Sequence, residues 1–404
     1  MSSPAQPAPS PASESFDVHT QGIGARPEVS QGAAWATPIN GSWPMVEPSL
    51  ALQLLRQMVL IREFEVRCMQ AYQDKKIGGF CHVYIGQEAV AVGCNAALRP
   101  EDPMVTAYRD HGHALARGMS ARACMAEMFG RVDGCAKGKG GSMHMFDRAN
   151  NLFGGHGIVG AQVPLGVGLA FACKYEDEVM AGGSLRRVAM SFLGDGALNQ
   201  GAFHEGMNLA SLLDLPAIVV CENNGYSMGT AISRGTSMGH QITAKALAYG
   251  IDAYEVDGMD VLGVYHQMHG IVEHCRATSR PAFVDMRTYR YKGHSMSDPR
   301  KYRTREEEAQ YEAGDPIGRL KSRLEGAGIL TEADFKAMLK ELRAEVRDSV
   351  DFADASPVPS MSELHTDVFV ESWGPYTGSS DPRMLGGAPR AVNFRAIENP
   401  ETQL

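Results

Sequence analysis

The sequence predicts an α/β fold in which a mostly parallel sheet carries helices on both of its faces. Two short apolar runs, residues 188–193 and 217–221, are typical of strands that are buried on both sides. The residues between them, 199–213, carry apolar side chains at helical spacing, namely Phe203, Met207, Leu209 and Leu212. This strand–turn–helix–strand unit places the residues that follow each strand at the carboxyl edge of the sheet, where open α/β sheets bind ligands.

The same patterns predict the other elements in order. A first helix is expected to begin at Pro48, with Ser49 as its N-cap, and to stop at the glycines 78–79. Three more strands are predicted at residues 104–107, 253–256 and 282–289, with a helix at 261–277 before the last of them. The capping-box pattern from Thr331 to Asp334 opens a charged helix that reaches about residue 351.

Composition divides the chain of 404 residues into three parts. Residues 1–46 are rich in Ser, Pro, Ala, Gly and Gln and contain a single cation, Arg26, so we expect a disordered or extended N-terminal segment. Residues 47–355 form one α/β domain that ends in helices. Residues 356–404 carry many Gly, Pro and Ser and are predicted to form an extended tail.

Charge and apolar content exclude several classes of protein. The formal net charge of −9 argues against nucleic-acid binding, and no apolar run is long enough to span a membrane. The eight cysteines lack C-x-x-C spacing, which favours reduced thiols in the cytosol. The N-terminal segment lacks the apolar centre of a signal peptide and the arginines of a transit peptide, so we expect a bacterial-type cytoplasmic protein.

Two polar turns follow neighbouring predicted strands. Asp195 stands between Gly194 and Gly196, and Asn224 follows the strand at residues 217–221. Each turn alone is as well explained by ordinary turn chemistry without a ligand. Together, at adjacent strand ends, they offer two oxygen ligands to Mg²⁺, which takes its remaining oxygens from water and phosphates. The pair therefore predicts a site for a metal-bound diphosphate.

These residues resemble a known motif. G-D-G at 194–196, followed about thirty residues later by N-N at 223–224, is similar to the thiamin-diphosphate motif. With their flanking residues, the two stretches look like the alpha subunits of two-chain 2-oxo acid dehydrogenases. G-I-V-G-A-Q-V-P-L-G at 157–166 and Y-R-Y-K-G-H-S-M-S-D-P at 289–299 look like the pyruvate-specific branch. The resemblance extends from about residue 50 to about residue 370.

The resemblance implies a thiamin-diphosphate-binding fold of the diphosphate-binding type and assigns a role to each matching residue. Mg²⁺ would be held by Asp195, Asn224 and the carbonyl of Tyr226. His82 and His294 would face the substrate as the catalytic histidines. The residues implied to contact the cofactor are Tyr108, Arg109, Gly157, Val159, Asp195, Gly196, Ala197, Asn224, Tyr226 and His294. Which histidine moves a proton stays open.

The resemblance also implies partners and an activity. The carboxylate that activates thiamin diphosphate lies on a beta subunit in this family, and the chain has no second α/β unit for the aminopyrimidine half. We therefore expect an active site shared with a beta subunit, in an α₂β₂ heterotetramer. The implied reaction is oxidative decarboxylation of pyruvate with reductive acetylation of a lipoyl domain of dihydrolipoyl acetyltransferase.

Three alternatives stay open. Acetoin dehydrogenases share G-D-G-A, E-N-N-G-Y and Y-R-Y-x-G-H-S, whereas H-V-Y-I-G-Q-E-A and S-M-S-D-P favour pyruvate. A branched-chain 2-oxo acid is a weaker candidate, because residues 157–166 depart from that branch. A cofactor-free regulatory or structural alpha-like subunit is the alternative from another class, and the retained polar residues argue against it.

Several further segments need separate interpretation. The glycine-rich stretch 134–144 lacks the spacing of a P-loop, and residues 166–171 lack the third glycine of a dinucleotide fingerprint. Ser295 matches a phosphorylation site of animal relatives, but residues 229–231 and 299–302 lack the other serines, which argues against kinase control. Residues 292–302 show no apolar anchor, so we predict a loop that is mobile without cofactor.

Overall fold

The computed structural model describes residues 42–183 and 185–367. Its main element is a six-stranded sheet in the order β2-β1-β3-β4-β8-β7, in which every pair of neighbours is parallel. The strands are β1 Met104–Ala107, β2 Leu152–His156, β3 Ala189–Gly194, β4 Ala217–Asn223, β7 Asp252–Asp257 and β8 Ala282–Arg287. A short antiparallel ribbon joins β5 Tyr226–Ser227 to β6 Thr230–Ala231.

Helices surround the sheet. They are α1 Pro48–Gln73, α2 Glu88–Ala97, α3 His111–Arg117, α4 Ala121–Met128, α5 Gln162–Tyr175, α6 Gly201–Leu212, α7 Ile232–Gly235, α8 Thr243–Leu247, α9 Val261–Thr278, α10 Arg305–Ala313, α11 Pro316–Gly326 and α12 Glu332–Ala355. None of those in residues 42–183 and 185–367 is long and apolar enough to cross a bilayer. All eight cysteines are free thiols.

Both faces of the sheet are covered, which confirms the predicted fold class. Along β3, Phe192 packs into the larger apolar cluster, which includes side chains of α1, α2 and α9. Its neighbour Leu193 packs into a second cluster with side chains of α6 and α8. Successive residues of a strand point to opposite faces of the sheet. A strand that is buried on both faces therefore needs apolar residues at every position, which gives a continuous apolar run in the sequence.

Some predicted boundaries shift. Helix α1 does begin at Pro48, but Glu47 occupies its N-cap position, so the prediction of Ser49 was wrong. Proline suits the first helical position because its missing N–H needs no partner there. Helix α6 begins at Gly201, since residues Asp195–Asn199 form a 3₁₀ turn first. The capping box at Thr331 is confirmed.

The strand order creates a crevice beside β1. Strand β2 lies on one side of β1 and β3 lies on the other, so the chain reverses direction across the sheet at this point. In open α/β sheets such a reversal leaves room for a ligand at the carboxyl ends of the strands. The sequence pattern missed β2, because its residues L-F-G-G-H are neither a continuous apolar run nor an alternating one.

The two terminal predictions fall largely on residues 1–41 and 368–404, which lie outside the described residues. Where the described chain begins, Trp43 stacks on His266 of α9 with ring centroids 6.2 Å apart. Where it ends, residues 356–367 lie against the glycine-rich stretch; for example, Nζ of Lys139 donates to Oγ1 of Thr366 at 2.8 Å.

Candidate active site

A cavity of about 400 Å³ opens at the carboxyl ends of β1, β3 and β4. Every residue that the sequence assigned to the site lines it, which means that the fold gathers segments more than 200 residues apart. These residues are His82, Tyr108, Arg109, Gly157, Val159, Asp195, Gly196, Ala197, Asn224, Tyr226 and His294. Their chemical roles stay predictions, but their common location is a property of the fold.

Asp195 stands directly after β3 and is 2% exposed. Its Oδ1 accepts the N–H of Gly196 at 3.0 Å, whereas its Oδ2 is buried without a protein partner. Burial raises the pKa of this carboxyl to about 6. A buried, unpaired carboxylate oxygen is unfavourable, and a bound cation would remove the penalty.

Asn224 follows β4, the strand next to β3 in the sheet. Its side-chain Nδ2 donates to Oε1 of Gln87 at 3.0 Å, and its Oδ1 accepts the N–H of Tyr226 at 3.3 Å. Gln87 is buried and thus orients the amide of Asn224. The sequence analysis did not identify Gln87 as a site residue. It lies in the sequence G-Q-E-A at residues 86–89, which is part of the family resemblance.

These groups fit Mg²⁺ better than a transition metal. In the described part of the chain, no group of three or more His, Cys, Asp or Glu side chains is placed to hold a metal. One carboxylate, one amide oxygen and a backbone carbonyl leave most coordination positions to phosphate and water oxygens, as Mg²⁺ prefers. The unpartnered Oδ2 of Asp195 is the structural feature that fits such an ion.

Close backbone packing explains the second glycine of the G-D-G turn. A Cβ atom on Gly196 would lie 2.7 Å from the Cβ of Ser227, at the start of the β5–β6 ribbon. Only glycine lets these two segments approach. The turn after β3 and the ribbon after β4 therefore form one continuous wall of the cavity.

Two buried arginines line the cavity. Arg109 donates through Nη1 to the carbonyl of Val83 at 2.6 Å and through Nη2 to the carbonyl of His294 at 2.7 Å. Arg290, which the sequence reasoning missed, donates to the hydroxyl of Tyr302 at 3.0 Å. Burial, together with the nearby Arg109 and Arg303, lowers the pKa of Arg290 to about 10, so it keeps its charge at neutral pH. The two arginines thus offer positive charge to an anionic ligand.

The predicted catalytic histidines form an aromatic cluster with Tyr108. The ring centroid of His82 lies 5.1 Å from that of His294 and 4.8 Å from that of Tyr108. Burial and the charge of Arg109 lower the pKa of His82 to about 3 and that of His294 to about 4. Both imidazoles are therefore neutral at pH 7, and the buried Nδ1 of His82 has no protein partner.

The segment 292–302 is a structured loop in which Asp298 is the central acceptor. Its Oδ2 accepts the N–H of His294 and the hydroxyl of Tyr302, both at 2.6 Å, and its Oδ1 accepts the N–H of Arg300 at 2.9 Å. The expectation that the loop has no apolar anchor was wrong, because Met296 packs against the main apolar cluster. A single methionine in a polar segment forms no periodic apolar pattern, so the sequence did not predict that it would be packed against the core.

The cavity contains a second buried carboxylate that the sequence reasoning missed. Glu222, near the end of β4, accepts a hydrogen bond from the hydroxyl of Tyr84, and its Oε1 lies 3.0 Å from Nε2 of His113. It sits in a run that reads as an apolar strand, and its partners are more than 100 residues away in sequence. Sequence spacing therefore carried no signal for this contact.

Comparison with known proteins gives a consistent family result. The model of the family described as "Dehydrogenase E1 component" matches residues 56–362. A pyruvate dehydrogenase E1 component subunit alpha of Rhizobium meliloti is 49% identical over 320 residues, which cover 79% of this chain and 90% of the relative. The subunit of the same name from Zymomonas mobilis is 47% identical over 335 residues, covering 82% and 92%. A mitochondrial alpha-1 subunit of Oryza sativa is 45% identical over 345 residues, covering 84% of each chain.

Proposed function

Because the chain belongs to the dehydrogenase E1 component family, we propose that it is the alpha subunit of a pyruvate dehydrogenase. We propose further that thiamin diphosphate and Mg²⁺ bind in the cavity at the carboxyl ends of β1, β3 and β4. The observation that carries this is the buried, unpartnered Oδ2 of Asp195 in a cavity that also holds the cations Arg109 and Arg290. A metal-bound diphosphate satisfies both features at once, since the metal pairs with the carboxylate and the phosphates with the arginines.

The residues divide into three groups around this ligand. Asp195, the amide oxygen of Asn224 and the carbonyl of Tyr226 hold the metal. Gly196, Ala197, Tyr108 and Arg109 contact the diphosphate. Gly157 and Val159, which also line the cavity, would contact the cofactor nearer its aminopyrimidine.

Bound there, thiamin diphosphate supplies a nucleophilic carbon and an electron sink for the decarboxylation of a 2-oxo acid. The chain's own contribution is orientation and a local electrostatic field. His82 and His294, both neutral, present N–H donors to negative charge that develops on the substrate oxygen. Arg109 fixes the position of His294 by binding its backbone carbonyl.

The cavity needs a second chain. Of its two carboxylates, Asp195 is assigned to the metal, and Glu222 is held by Tyr84 and His113. Neither is free to face an aminopyrimidine. Beside the cavity, Ile158 is 76% exposed and Val159 is 44% exposed, as expected of a rim that another protein covers. A beta subunit in an α₂β₂ assembly supplies the missing carboxylate, and a lipoyl domain accepts the acyl group.

We place this assembly in the cytoplasm, as expected from the sequence. The substrate is tested by assembling the chain with its cognate beta subunit and assaying decarboxylation of pyruvate and of 3-methyl-2-oxobutanoate, and carbon–carbon cleavage of acetoin. A kcat/KM for pyruvate that is highest by at least about tenfold supports the proposal. Preference for either of the other two substrates would reassign the chain within the family. Failure of the assembly to bind thiamin diphosphate would instead favour a cofactor-free subunit.

A further inference from the structure

The glycine-rich stretch 134–141 folds around a carboxylate of the chain itself. Glu127, near the end of α4, is fully buried. Each of its two oxygens accepts two backbone N–H groups from the stretch. Oε2 accepts those of Ala136 at 2.7 Å and Gly138 at 2.9 Å. Oε1 accepts those of Gly140 at 2.7 Å and Gly141 at 3.0 Å.

The glycines of this stretch are required by that arrangement. A Cβ atom on Gly134 would lie 2.6 Å from the Cα of Glu127, so no larger residue fits there. Gly138 and Gly141 adopt φ values of +74° and +61°, in the left-handed region that favours glycine. The high glycine content, which suggests a phosphate-binding loop, is thus explained because the backbone of this stretch must wrap around the carboxylate of Glu127.

Several backbone N–H groups that converge on one anion form a nest, the device with which many proteins bind phosphate. In this protein the anion is the side chain of Glu127, so the nest formed by residues 136–141 is already filled. Hydrogen bonds from N–H groups to an ionised carboxylate are stronger than those between neutral groups. Four of them converge on this one side chain.

The nest leads directly into the wall of the cofactor cavity. Ser142, the next residue, accepts the backbone N–H of His82 on its Oγ at 3.3 Å, and the same Oγ lies 2.9 Å from Nε2 of His111. Met143 lines the cavity. Nδ1 of His144 lies 2.9 Å from the carbonyl oxygen of Gly155, on β2. The position of each of these residues depends on where the nest ends.

We propose that Glu127 is a positioning residue of the active site, whose carboxylate serves as the built-in anion of the nest at residues 136–141. By fixing the nest it places Ser142 against the backbone of His82 and Met143 in the cavity. This inference rests on the proposed function, since the cavity is taken to be the thiamin-diphosphate site.

The test compares Glu127→Gln with Asp102→Asn in the assembled alpha–beta enzyme. Glu127→Gln keeps the size of the side chain but replaces one acceptor oxygen by an NH₂ group that opposes the N–H donors. Asp102 is also fully buried and accepts the N–H groups of Arg99 at 2.8 Å and Val188 at 3.0 Å. It lies at the amino end of the sheet, on the opposite edge from the cavity, so it controls for the loss of a buried carboxylate in general.

Four quantities are measured: amide hydrogen exchange of residues 134–145, the Kd of thiamin diphosphate at saturating Mg²⁺ by calorimetry, kcat and KM. For Glu127→Gln we expect faster exchange confined to this stretch and an increase of at least about tenfold in the Kd. For Asp102→Asn we expect a lower melting temperature with an unchanged Kd.

The outcomes separate the two proposals. A wild-type assembly that fails to bind thiamin diphosphate would refute the proposed function, whereas hydrogen exchange would still report whether Glu127 holds the nest. Wild-type binding with an unchanged Kd in Glu127→Gln would overturn the positioning role. An equal rise of the Kd in both variants would also overturn it, because the effect would then reflect general destabilisation.

Discussion

At the scale of single residues, burial decides the charge state of the groups in the cavity. It raises the pKa of Asp195 to about 6, lowers that of His82 to about 3 and lowers that of Arg290 to about 10. At pH 7 the cavity therefore contains an ionised but unpaired Asp195, cationic arginines and neutral histidines. This combination suits an anionic ligand that brings its own cation.

Replacing Asp195 by alanine tests this interpretation. We expect the affinities for Mg²⁺ and thiamin diphosphate to fall together by at least about tenfold, or about 1.4 kcal/mol, because the metal loses its anionic ligand. The melting temperature of the cofactor-free chain should be unchanged or higher, since an unpaired buried carboxylate is removed. Titration of thiamin diphosphate into wild-type and Asp195→Ala assemblies measures the effect, with Asp195→Asn expected between them. Equal Kd values would show that Asp195 forms only a turn.

The two histidines predict a pH dependence of stability. In the unfolded chain an imidazole has a pKa of about 6.5, whereas the pKa values of His82 and His294 in the fold are lowered to about 3 and 4. Between these limits the two imidazoles bind more protons in the unfolded state, so their contribution to the free energy of unfolding decreases as the pH falls from about 6.5 to 4. The slope is at most about 1.4 kcal/mol per pH unit for each histidine.

Urea unfolding of the cofactor-free chain across this pH range measures the slope. The double variant with His82→Asn and His294→Asn should show a flatter dependence. The exposed His240, replaced in the same way, serves as the control. A double variant with the wild-type slope would mean that other groups cause the acid sensitivity.

At the scale of elements, the loop at residues 292–302 links β8 to α10 and carries His294 to the cavity. Internal hydrogen bonds to Asp298 shape it, Arg109 binds the carbonyl of His294, and Met296 anchors it to the core. The predicted mobility of this loop without cofactor stays a prediction. Its contacts show which bonds must break for the loop to open.

Asp298→Ala removes three of these bonds. We expect the loop to be cleaved at least about threefold faster by a nonspecific protease, and kcat to fall because His294 is no longer held. Lys301→Ala, an exposed change in the same loop, is the matched control. If cleavage and kcat were the same in both variants, Asp298 would not organise the loop. Cofactor and Mg²⁺ should slow cleavage of the wild-type loop.

At the scale of the whole molecule, we propose that the chain forms one wall of a shared active site. Its cavity holds the residues assigned to the diphosphate and the metal, and Ile158 and Val159 are exposed beside it. We therefore predict that the purified chain alone has no detectable decarboxylase activity and that its beta subunit restores it. Activity against pyruvate is measured while beta subunit is titrated into a fixed amount of this chain. Full turnover by the chain alone would contradict the shared active site.

Local sequence was sufficient to identify the fold class, the strand that directly precedes Asp195 and the family resemblance, which the comparisons confirm. A strand buried on both faces leaves an uninterrupted apolar run, and turn chemistry at its end depends on adjacent residues. For the same reason the capping box at Thr331 could be predicted from a few neighbouring residues. These features involve interactions over short distances along the chain.

Only the tertiary structure revealed the partners of Glu222, the orienting contact between Gln87 and Asn224, and the buried Arg290. Each depends on side chains that are distant in sequence and carry no periodic pattern. The tertiary structure also changed the meaning of the glycine-rich stretch, because its N–H groups bind Glu127 rather than a phosphate. Composition can show that a backbone is able to wrap an anion, but the anion itself is identified only when the chain is folded.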